Sequence, residues 1–221
     1  MSVQQPIEVR DMAIVHRTFR EAFSESAELV RAETSPTPDR VVFLSDHVEM
    51  ILAILHGHHE SEDELLWPRL LARVPDEAET VQRVADQHQE VSAAVERVQQ
   101  GVDAWRASSG GSSGDALADS LLHLNAVLQS HLNDEENLVV PLAAQALTQE
   151  EWNSVGEHSR GSIPRDKLFI AFGMLLEPLS DHDRAYMLSE VPAPVKLLWK
   201  TWGQRSWRKY RAKLRNVQRF A

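Results

Sequence analysis

The chain has 221 residues, a formal net charge of −10 at pH 7 and no cysteine. The lack of cysteine excludes disulfides, thiolate zinc sites and iron–sulfur clusters, and it favours a reducing compartment. The length suits one or two domains, and the abundance of Leu, Val and Ala over aromatic residues favours helices.

Four long segments with helical periodicity occupy the first two thirds of the chain. The second has a clear start, with Thr37 in the N-cap position and Pro38 in the first turn. A Ser/Gly-rich stretch at 108–114 provides a flexible connection between the third and the fourth. Four amphipathic helices with short connections predict an all-α fold, an up-down-up-down four-helix bundle with a C-terminal helical appendage. The predicted ranges are about 8–32, 38–73, 75–107 and 115–146.

Residues 148–221 show a different pattern, with glycines and a proline at the start and shorter helical stretches after them. We predict two domains, a bundle in residues 1–147 and a helical extension in residues 148–221. The extension ends in a basic, Trp-rich segment, since residues 192–221 hold nine Lys or Arg and no Asp or Glu. The rest of the chain has 14 basic and 33 acidic residues, a net charge of −19. The helices predicted in the extension are 165–177, 181–190 and 194–215.

The N-terminus gives no sign of a signal peptide, because residues 1–6 contain neither a basic nor an apolar region. Apolar runs along the chain also fall short of membrane-spanning length. We therefore expect a cytoplasmic protein.

Two stretches of the chain repeat one pattern, in which a histidine is followed by a glutamate four residues later and a proline six residues after that. The first comprises His58, Glu62 and Pro68, and the second comprises His131, Glu135 and Pro141. Positions i and i+4 share one face of a helix. Each stretch therefore directs one imidazole and one carboxylate toward the same point.

Two further histidines reach the same depth of the bundle when residues are counted from the turns. His16 lies 19 residues before the turn near residue 35, and His58 lies 23 residues after it. His88 and Glu62 each lie 13 residues from the turn near residue 75. At about 1.5 Å of rise per residue the mismatches are at most roughly 6 Å. One layer is therefore predicted to hold six residues: His16, His58, Glu62, His88, His131 and Glu135.

The other histidines fail this test. His47 and His123 lie roughly 16 Å and about 12 Å along the helix axis from the nearest predicted ligand. His56 points nearly opposite to His58, whereas His59 is rotated by only about 100° from it. His59 is therefore either an extra ligand or a group that supports the ligands. Solvent exposure is expected for the remaining polar residues, namely Asp63, Glu64 and Glu136 near the layer and His158 and His182 outside the bundle.

Four imidazoles and two carboxylates would be very costly to bury in a dry core without compensation. Two divalent cations would satisfy all six groups, with glutamate bridging the metals and histidines completing each of them. Mixed imidazole and carboxylate ligands suit iron or manganese, and zinc less specifically. The alternative is a bundle in which the same groups are only hydrogen-bonded.

The pattern H…HxxxE…H…HxxxE on an up-down bundle resembles the hemerythrin-like, or HHE cation-binding, family, in its bacterial form with a C-terminal helical extension. The resemblance is carried by the six residues of the layer together with Pro68 and Pro141, and it covers about residues 8–146. It implies two iron ions, with manganese or zinc less favoured. By this resemblance Glu62 and Glu135 bridge the irons, and the four histidines are terminal ligands.

Two departures from the oxygen-carrying hemerythrins bear on the expected function. The position four residues after His88 is Ser92 instead of a second histidine, and Glu135 stands where those proteins have an aspartate. This disfavours reversible oxygen carriage. We expect a diiron protein that binds or reacts with dioxygen, hydrogen peroxide or nitric oxide, as in the response to oxidative stress. The alternatives are an iron-sensing or regulatory module ordered by metal, and a metal-free scaffold that acts through its basic tail.

The C-terminal segment interleaves basic and aromatic residues. We expect it to dock on the acidic bundle, with Trp199 and Trp202 buried and the basic groups facing carboxylates. An anionic membrane surface or a protein partner is an alternative, and nucleic acid is disfavoured.

Overall fold

A computed structural model describes residues 7–109 and 113–216, and every regular element within those ranges is helical. Residues 110–112 of the predicted flexible connection, the N-terminal residues 1–6 and the basic Arg219 lie outside the described residues. The helices of the first part are α1 (Arg10–Ala32), α2 (Pro38–Ser61, a π-helical turn Glu62–Leu66, and Trp67–Arg73), α3 (Ala78–Ala107, after a 3-10 turn Pro75–Glu77), α4 (Ser113–Asp134, a π-helical turn Glu135–Val139, and Val140–Ala146) and α5 (Gln149–Gly161). Those of the second part are α6 (Leu168–Leu176), α7 (Asp181–Ser189) and α8 (Ala193–Leu198, a π-helical turn Trp199–Gly203, and Gln204–Leu214).

Helices α1 to α4 form a four-helix bundle in which each helix packs beside two others. Helix α1 lies against α2 and α4, and α3 also lies against α2 and α4. The second helix begins as predicted, because the Thr37 side chain accepts a hydrogen bond from the backbone N–H of Arg40 and Pro38 occupies the first turn. The predicted all-α bundle is confirmed.

Helices α2 and α4 each contain a π-helical turn in the same place relative to the repeated motif. The turns begin at Glu62 and Glu135, and each ends two residues before a proline, Pro68 or Pro141. A proline inside a helix removes one backbone N–H and its ring collides with the carbonyl four residues earlier. The wider turn accommodates this, since Trp67 donates its backbone N–H to Glu62 O and Val140 donates to Glu135 O, five residues back.

Helix α5 was not predicted from the sequence, although its start carries a recognisable signal. The Thr148 side chain accepts from the backbone N–H of Glu151, and the Glu151 side chain accepts from the backbone N–H of Thr148, which is a capping box. Trp152 is buried and donates from Nε1 to Asp11 Oδ1 at 2.9 Å. Helix α5 also packs along α2. The chain accordingly divides into compact units after Ser162, fifteen residues beyond the domain boundary predicted at 147.

The continuous helix Pro38–Arg73 is long and apolar enough to cross a membrane by length and composition, with a mean hydropathy of 1.2 over its best window. The expectation that no apolar run reaches membrane-spanning length is therefore wrong for this helix. Its position in the bundle accounts for its composition, since 61% of that window is buried inside the protein.

The second compact unit begins at Ile163 and packs around α8. Trp199 is buried there against the rings of Phe169 and Phe172. Arg211 pairs with Glu177, at 2.8 Å between Nε and Oε1. Trp202 is 68% exposed, so the expectation that both tryptophans are buried is wrong for Trp202.

Candidate metal centre

A polar layer interrupts the apolar interior of the bundle at one depth. Helices α1 and α3 bring one polar side chain each to this layer, α4 brings two and α2 brings three, with apolar residues before and after them. The buried apolar residues that flank the layer are Met12 and Phe19 on α1, Leu55 and Leu66 on α2, Val84 and Val91 on α3, and Leu128 and Val139 on α4.

All six predicted ligands lie in this layer, and none is more than 8% exposed. Their donor atoms fall into two groups that could each hold a metal ion, with all donor atoms of a group within 4.8 Å of one another. The first group comprises His16, His58, Glu62 and Glu135. The second comprises His59, Glu62, His88 and His131.

In the first group, two imidazoles and two carboxylates converge. Nε2 of His16 and Nε2 of His58 face each other at 3.2 Å. Nε2 of His58 lies 3.0 Å from Oε1 of Glu62, and Nε2 of His16 lies 3.4 Å from Oε2 of Glu135. Four donor atoms from three helices thus point at one another.

Glu62 joins the two groups. Its Oε1 faces His58 in the first group, while its Oε2 lies 3.4 Å from Nε2 of His88 in the second. Glu135 is closest to His16, but its Oε2 also lies 3.9 Å from Nε2 of His131. Glu62 therefore has the placement that a bridge between two cations requires, whereas Glu135 is a member of the first group that also approaches His131.

The layer contains a concentration of buried polar atoms without hydrogen-bond partners. Of the eleven such side-chain atoms in the described part of the chain, seven belong here. They are both carboxylate oxygens of Glu62 and of Glu135, and Nε2 of His59, His88 and His131. The short contact of His58 with Glu62 lacks the alignment of a hydrogen bond. Unsatisfied buried polar atoms are costly, whereas cations at the two groups would satisfy all of these at once. The donor set therefore fits divalent metals.

Three of the histidines are oriented by hydrogen bonds on the side away from the layer. Nδ1 of His16 contacts Oε1 of Glu136 at 2.9 Å, and Nδ1 of His88 contacts Oδ1 of Asp63 at 2.8 Å. Nδ1 of His131 contacts Oε1 of Gln87 at 3.2 Å. Donation from Nδ1 to these oxygens leaves the Nε2 lone pair directed into the layer, the tautomer that a metal ligand needs.

Two of these partners, Asp63 and Glu136, have a role that the sequence did not predict. Asp63 is exposed, as expected, and Glu136 is more buried than expected; each accepts a hydrogen bond from a histidine of the layer, which the sequence did not indicate. The Glu136 carboxylate is also bound by Arg20, at 2.9 Å from Nη1. Glu64 is more than half exposed, as expected, and lies 3.4 Å from His158.

The remaining histidines lie where the sequence placed them with respect to the layer. His47 is buried but belongs to neither donor group, and His56 is exposed. His123 is also exposed and contacts Arg97. His158 and His182 are exposed as well.

Burial sets the protonation of the layer in the absence of a cation. Burial raises the pKa of Glu62 well above its usual value, and burial together with the neighbouring Glu62 charge raises the pKa of Glu135 to about 8. Burial also lowers the pKa of His131 to about 3 and the pKa values of His58 and His59 well below the usual value. The imidazoles of His58, His59 and His131 are therefore neutral at pH 7, which keeps their lone pairs available to a metal.

These features define a class of protein, a four-helix bundle with paired histidine and carboxylate donors for metal cations in its core. The model of the hemerythrin HHE cation-binding domain family matches residues 8–143, more than half of the chain. The chain belongs to this family. Neither a curated protein nor a solved structure gives a significant match.

Proposed function

We propose that the bundle holds two iron ions and binds or reacts with a small oxidant, namely dioxygen, hydrogen peroxide or nitric oxide. The observation that supports this most directly is the sharing of Glu62 between two four-donor groups in a buried layer. Mixed imidazole and carboxylate donors favour iron over zinc, with manganese as the closest alternative. Iron bound there would supply the redox chemistry, while the protein supplies geometry and a dry pocket.

The protein side chains have three roles in this proposal. Glu62 and Glu135 hold two cations close together, because each carboxylate reaches donors of both groups. The Nδ1 hydrogen bonds hold the rings of His16, His88 and His131 in place. The apolar residues above and below the layer limit the access of water, which keeps the charged groups in a medium of low dielectric constant.

Metal analysis of protein produced with added iron tests this proposal first. We expect about two irons per chain, with an optical spectrum of a coupled ferric pair. Substitutions His58→Ala and Glu135→Ala should each lower the iron content, whereas His47→Ala should not, although His47 is also a buried histidine of α2. Less than one iron per chain in the unsubstituted protein would refute the diiron proposal.

Measurements of catalytic turnover distinguish a protein that reacts with its oxidant from one that only binds it. A protein that reacts with its oxidant should consume hydrogen peroxide or nitric oxide catalytically in the presence of an electron donor. A protein that only binds the oxidant should give a stoichiometric and reversible spectral change with dioxygen after reduction.

Iron sensing is a second candidate, and the unsatisfied atoms of the layer favour it. Without metal, the polar layer buries seven atoms that have no hydrogen-bond partner, so metal binding should contribute directly to folding. A steep dependence of protease resistance on iron, without turnover of any oxidant, would support sensing over reaction.

For either function we propose a cytoplasmic location, which the lack of cysteine in the chain favours.

For the C-terminal unit we propose an anionic lipid surface as the partner. Leu197, Leu198 and Trp202 lie within six residues of one another on α8, and their exposed fractions are 63%, 44% and 68%. Helix α8 contains no acidic residue, and the nearby Lys200 and Arg205 are exposed. Exposed aromatic and aliphatic groups beside basic ones are typical of helices that bind at the membrane interface.

A further inference from the structure

We propose that His59 is a ligand of the second metal, so that the centre has five histidines divided three and two. This inference rests on the proposed diiron function and assigns a ligand beyond the six that the repeated motif indicates. The second donor group contains three imidazoles, those of His59, His88 and His131, with Glu62 as its carboxylate.

The position of His59 on α2 explains how it reaches the second group. Consecutive residues of an α-helix are rotated by about 100° around the axis. His58 therefore faces the first group, and His59 faces the second, which lies toward α3 and α4. The ring of His59 stacks on that of His88, with centroids 4.3 Å apart and an interplanar angle of 27°. It also meets the ring of His131 edge-on, with centroids 5.2 Å apart.

The nitrogen that would bind the metal is buried and without a hydrogen-bond partner. Nε2 of His59 has less than 1 Å² of exposed surface and no hydrogen bond. The ring has three neighbouring imidazoles, those of His58, His88 and His131, and Nε2 has no hydrogen-bond acceptor, so packing alone leaves a polar atom unsatisfied. A cation shared with His88 and His131 would satisfy it.

Helix α3 has no second ligand at the position where the oxygen-carrying hemerythrins have one. Ser92, four residues after His88, is exposed and points away from the layer. The third imidazole of the second group is therefore supplied by α2 instead of α3. The serine at position 92 therefore does not leave the second group short of an imidazole, because His59 supplies it.

The division of ligands also distinguishes the two metals. The second group has three imidazoles and one carboxylate, that of Glu62. The first group has only two imidazoles, those of His16 and His58, beside the two carboxylates. The two metals would thus have different donor sets, with more imidazole and less carboxylate at the second.

Two substitutions test whether His59 acts as a ligand or only fills space. His59→Ala removes both the ring and the nitrogen, whereas His59→Phe keeps a ring that can stack on His88 and removes the nitrogen. His47→Ala is the matched control, because His47 is also a buried histidine of the same helix and lies in neither donor group. Circular dichroism of the metal-free forms shows which variants fold.

The measurement is an anaerobic titration with Fe(II) against a chromophoric chelator, followed by Mössbauer spectroscopy of protein loaded with ⁵⁷Fe. We expect the full-length protein to bind two irons in unequal environments. In both His59 variants one iron should bind as before, while the other binds about tenfold or more weakly, since even indirect supports of a metal ligand are worth that much. The signals of the two irons should change unequally.

The outcomes separate this inference from the diiron proposal. If His59→Phe folds and binds both irons with unchanged affinity and spectrum, His59 is a packing residue and the inference is wrong. If only His59→Ala loses iron, stacking on His88 accounts for its effect, which also overturns the inference. Failure of the unsubstituted protein to bind two irons would instead refute the diiron proposal itself.

Discussion

Nδ1 of His88 is hydrogen-bonded to Oδ1 of Asp63 at 2.8 Å, although the Asp63 side chain is more than half exposed. The same oxygen accepts from Nε1 of Trp67 at 3.0 Å. Asp63 therefore fixes the ring of His88 from the solvent side while Glu62, one residue earlier, faces it from within. A surface carboxylate in this position is part of the support of the metal centre.

We expect Asp63→Ala to weaken metal binding at the second group by about 10- to 100-fold, the usual effect of losing a partner of a ligating histidine. The physical reason is the loss of the acceptor that holds the His88 ring and its tautomer. Glu64→Ala is the control, because it removes the same charge one residue later from a group that contacts only the exposed His158. Affinity for Fe(II), measured by chelator competition, checks this. Equal effects of the two substitutions would mean that only the local charge matters.

The metal-free protein should show an unusual dependence of stability on pH. Glu135 has a raised pKa of about 8 against 4.5 when exposed. Its contribution to the free energy of unfolding is therefore complete below pH 4.5 and is lost as the pH rises toward 8. His131 has a lowered pKa of about 3 against 6.5, so its contribution is complete above pH 6.5 and is lost as the pH falls toward 3. The two contributions oppose each other between pH 4.5 and 6.5. The raised pKa of Glu62 adds to the loss of stability with rising pH, and the lowered pKa values of His58 and His59 add to the opposing contribution below pH 6.5. Above pH 6.5 the histidine contributions are complete, so stability should fall from pH 6.5 to 8.

Urea unfolding of the metal-free protein at several pH values between 5 and 8.5 measures this dependence. Glu135→Gln should reduce the loss of stability above pH 6.5, because the amide does not titrate. Bound metal should reverse the trend, since a cation prefers the deprotonated carboxylate and binds more tightly as the pH rises. A metal-free protein that becomes more stable between pH 6.5 and 8 would contradict the assignment of a protonated Glu135.

The depth of the site was predictable because helical rise is constant and the turns are marked in the sequence. Counting from the turns admitted His16 and His88 and set aside His47, and the structure places all three accordingly. Residues four apart on a helix share a face whatever the tertiary structure, so the pairs of His58 with Glu62 and of His131 with Glu135 followed directly.

The supports of the site were not predictable in the same way. Asp63 and Glu136 each follow a glutamate of the layer, and both lie inside π-helical turns. A helical wheel with a constant angle per residue misplaces side chains where the turn widens, and this affects the residues just after Glu62 and Glu135. Helix α5 was missed for another reason, because Gly156 and Gly161 were interpreted as breaks. Its capping box and the contacts of Trp152 outweigh a glycine cost of about 1 kcal/mol.

The contact of α5 with α2 depends on the absence of a side chain at Gly57. A Cβ at this position would lie 2.6 Å from Cβ and 2.7 Å from Oγ of Ser162. We expect Gly57→Ala to lower the free energy of unfolding by about 1–3 kcal/mol, as other forced additions to packed sites do. Denaturant unfolding measures this.

The double variant with Ser162→Gly provides the control, since it removes the Cβ that Gly57→Ala would strike. Recovery of most of the lost stability in the double variant is expected. Gly161→Ala is a second control, because a Cβ there has nothing within 4 Å. If Gly161→Ala destabilised the protein as much as Gly57→Ala, a general loss at the end of α5 would explain the effect instead.

The exposed apolar residues of α8 should bind vesicles that contain anionic lipid. Full-length protein is expected to sediment with phosphatidylserine-containing vesicles and not with vesicles of phosphatidylcholine alone, and added salt should weaken the binding. Trp202→Ser with Leu197→Ser should reduce binding by removing apolar contacts, and Lys200→Gln with Arg205→Gln should reduce it by removing charge. Leu122→Ser is the matched control, because Leu122 is a 40% exposed leucine of the bundle. A lipid-binding role for α8 would be contradicted if binding survived both pairs of substitutions or were equal on neutral vesicles. Retention of the protein on single-stranded nucleic acid, without vesicle binding, would assign the basic segment to a different partner.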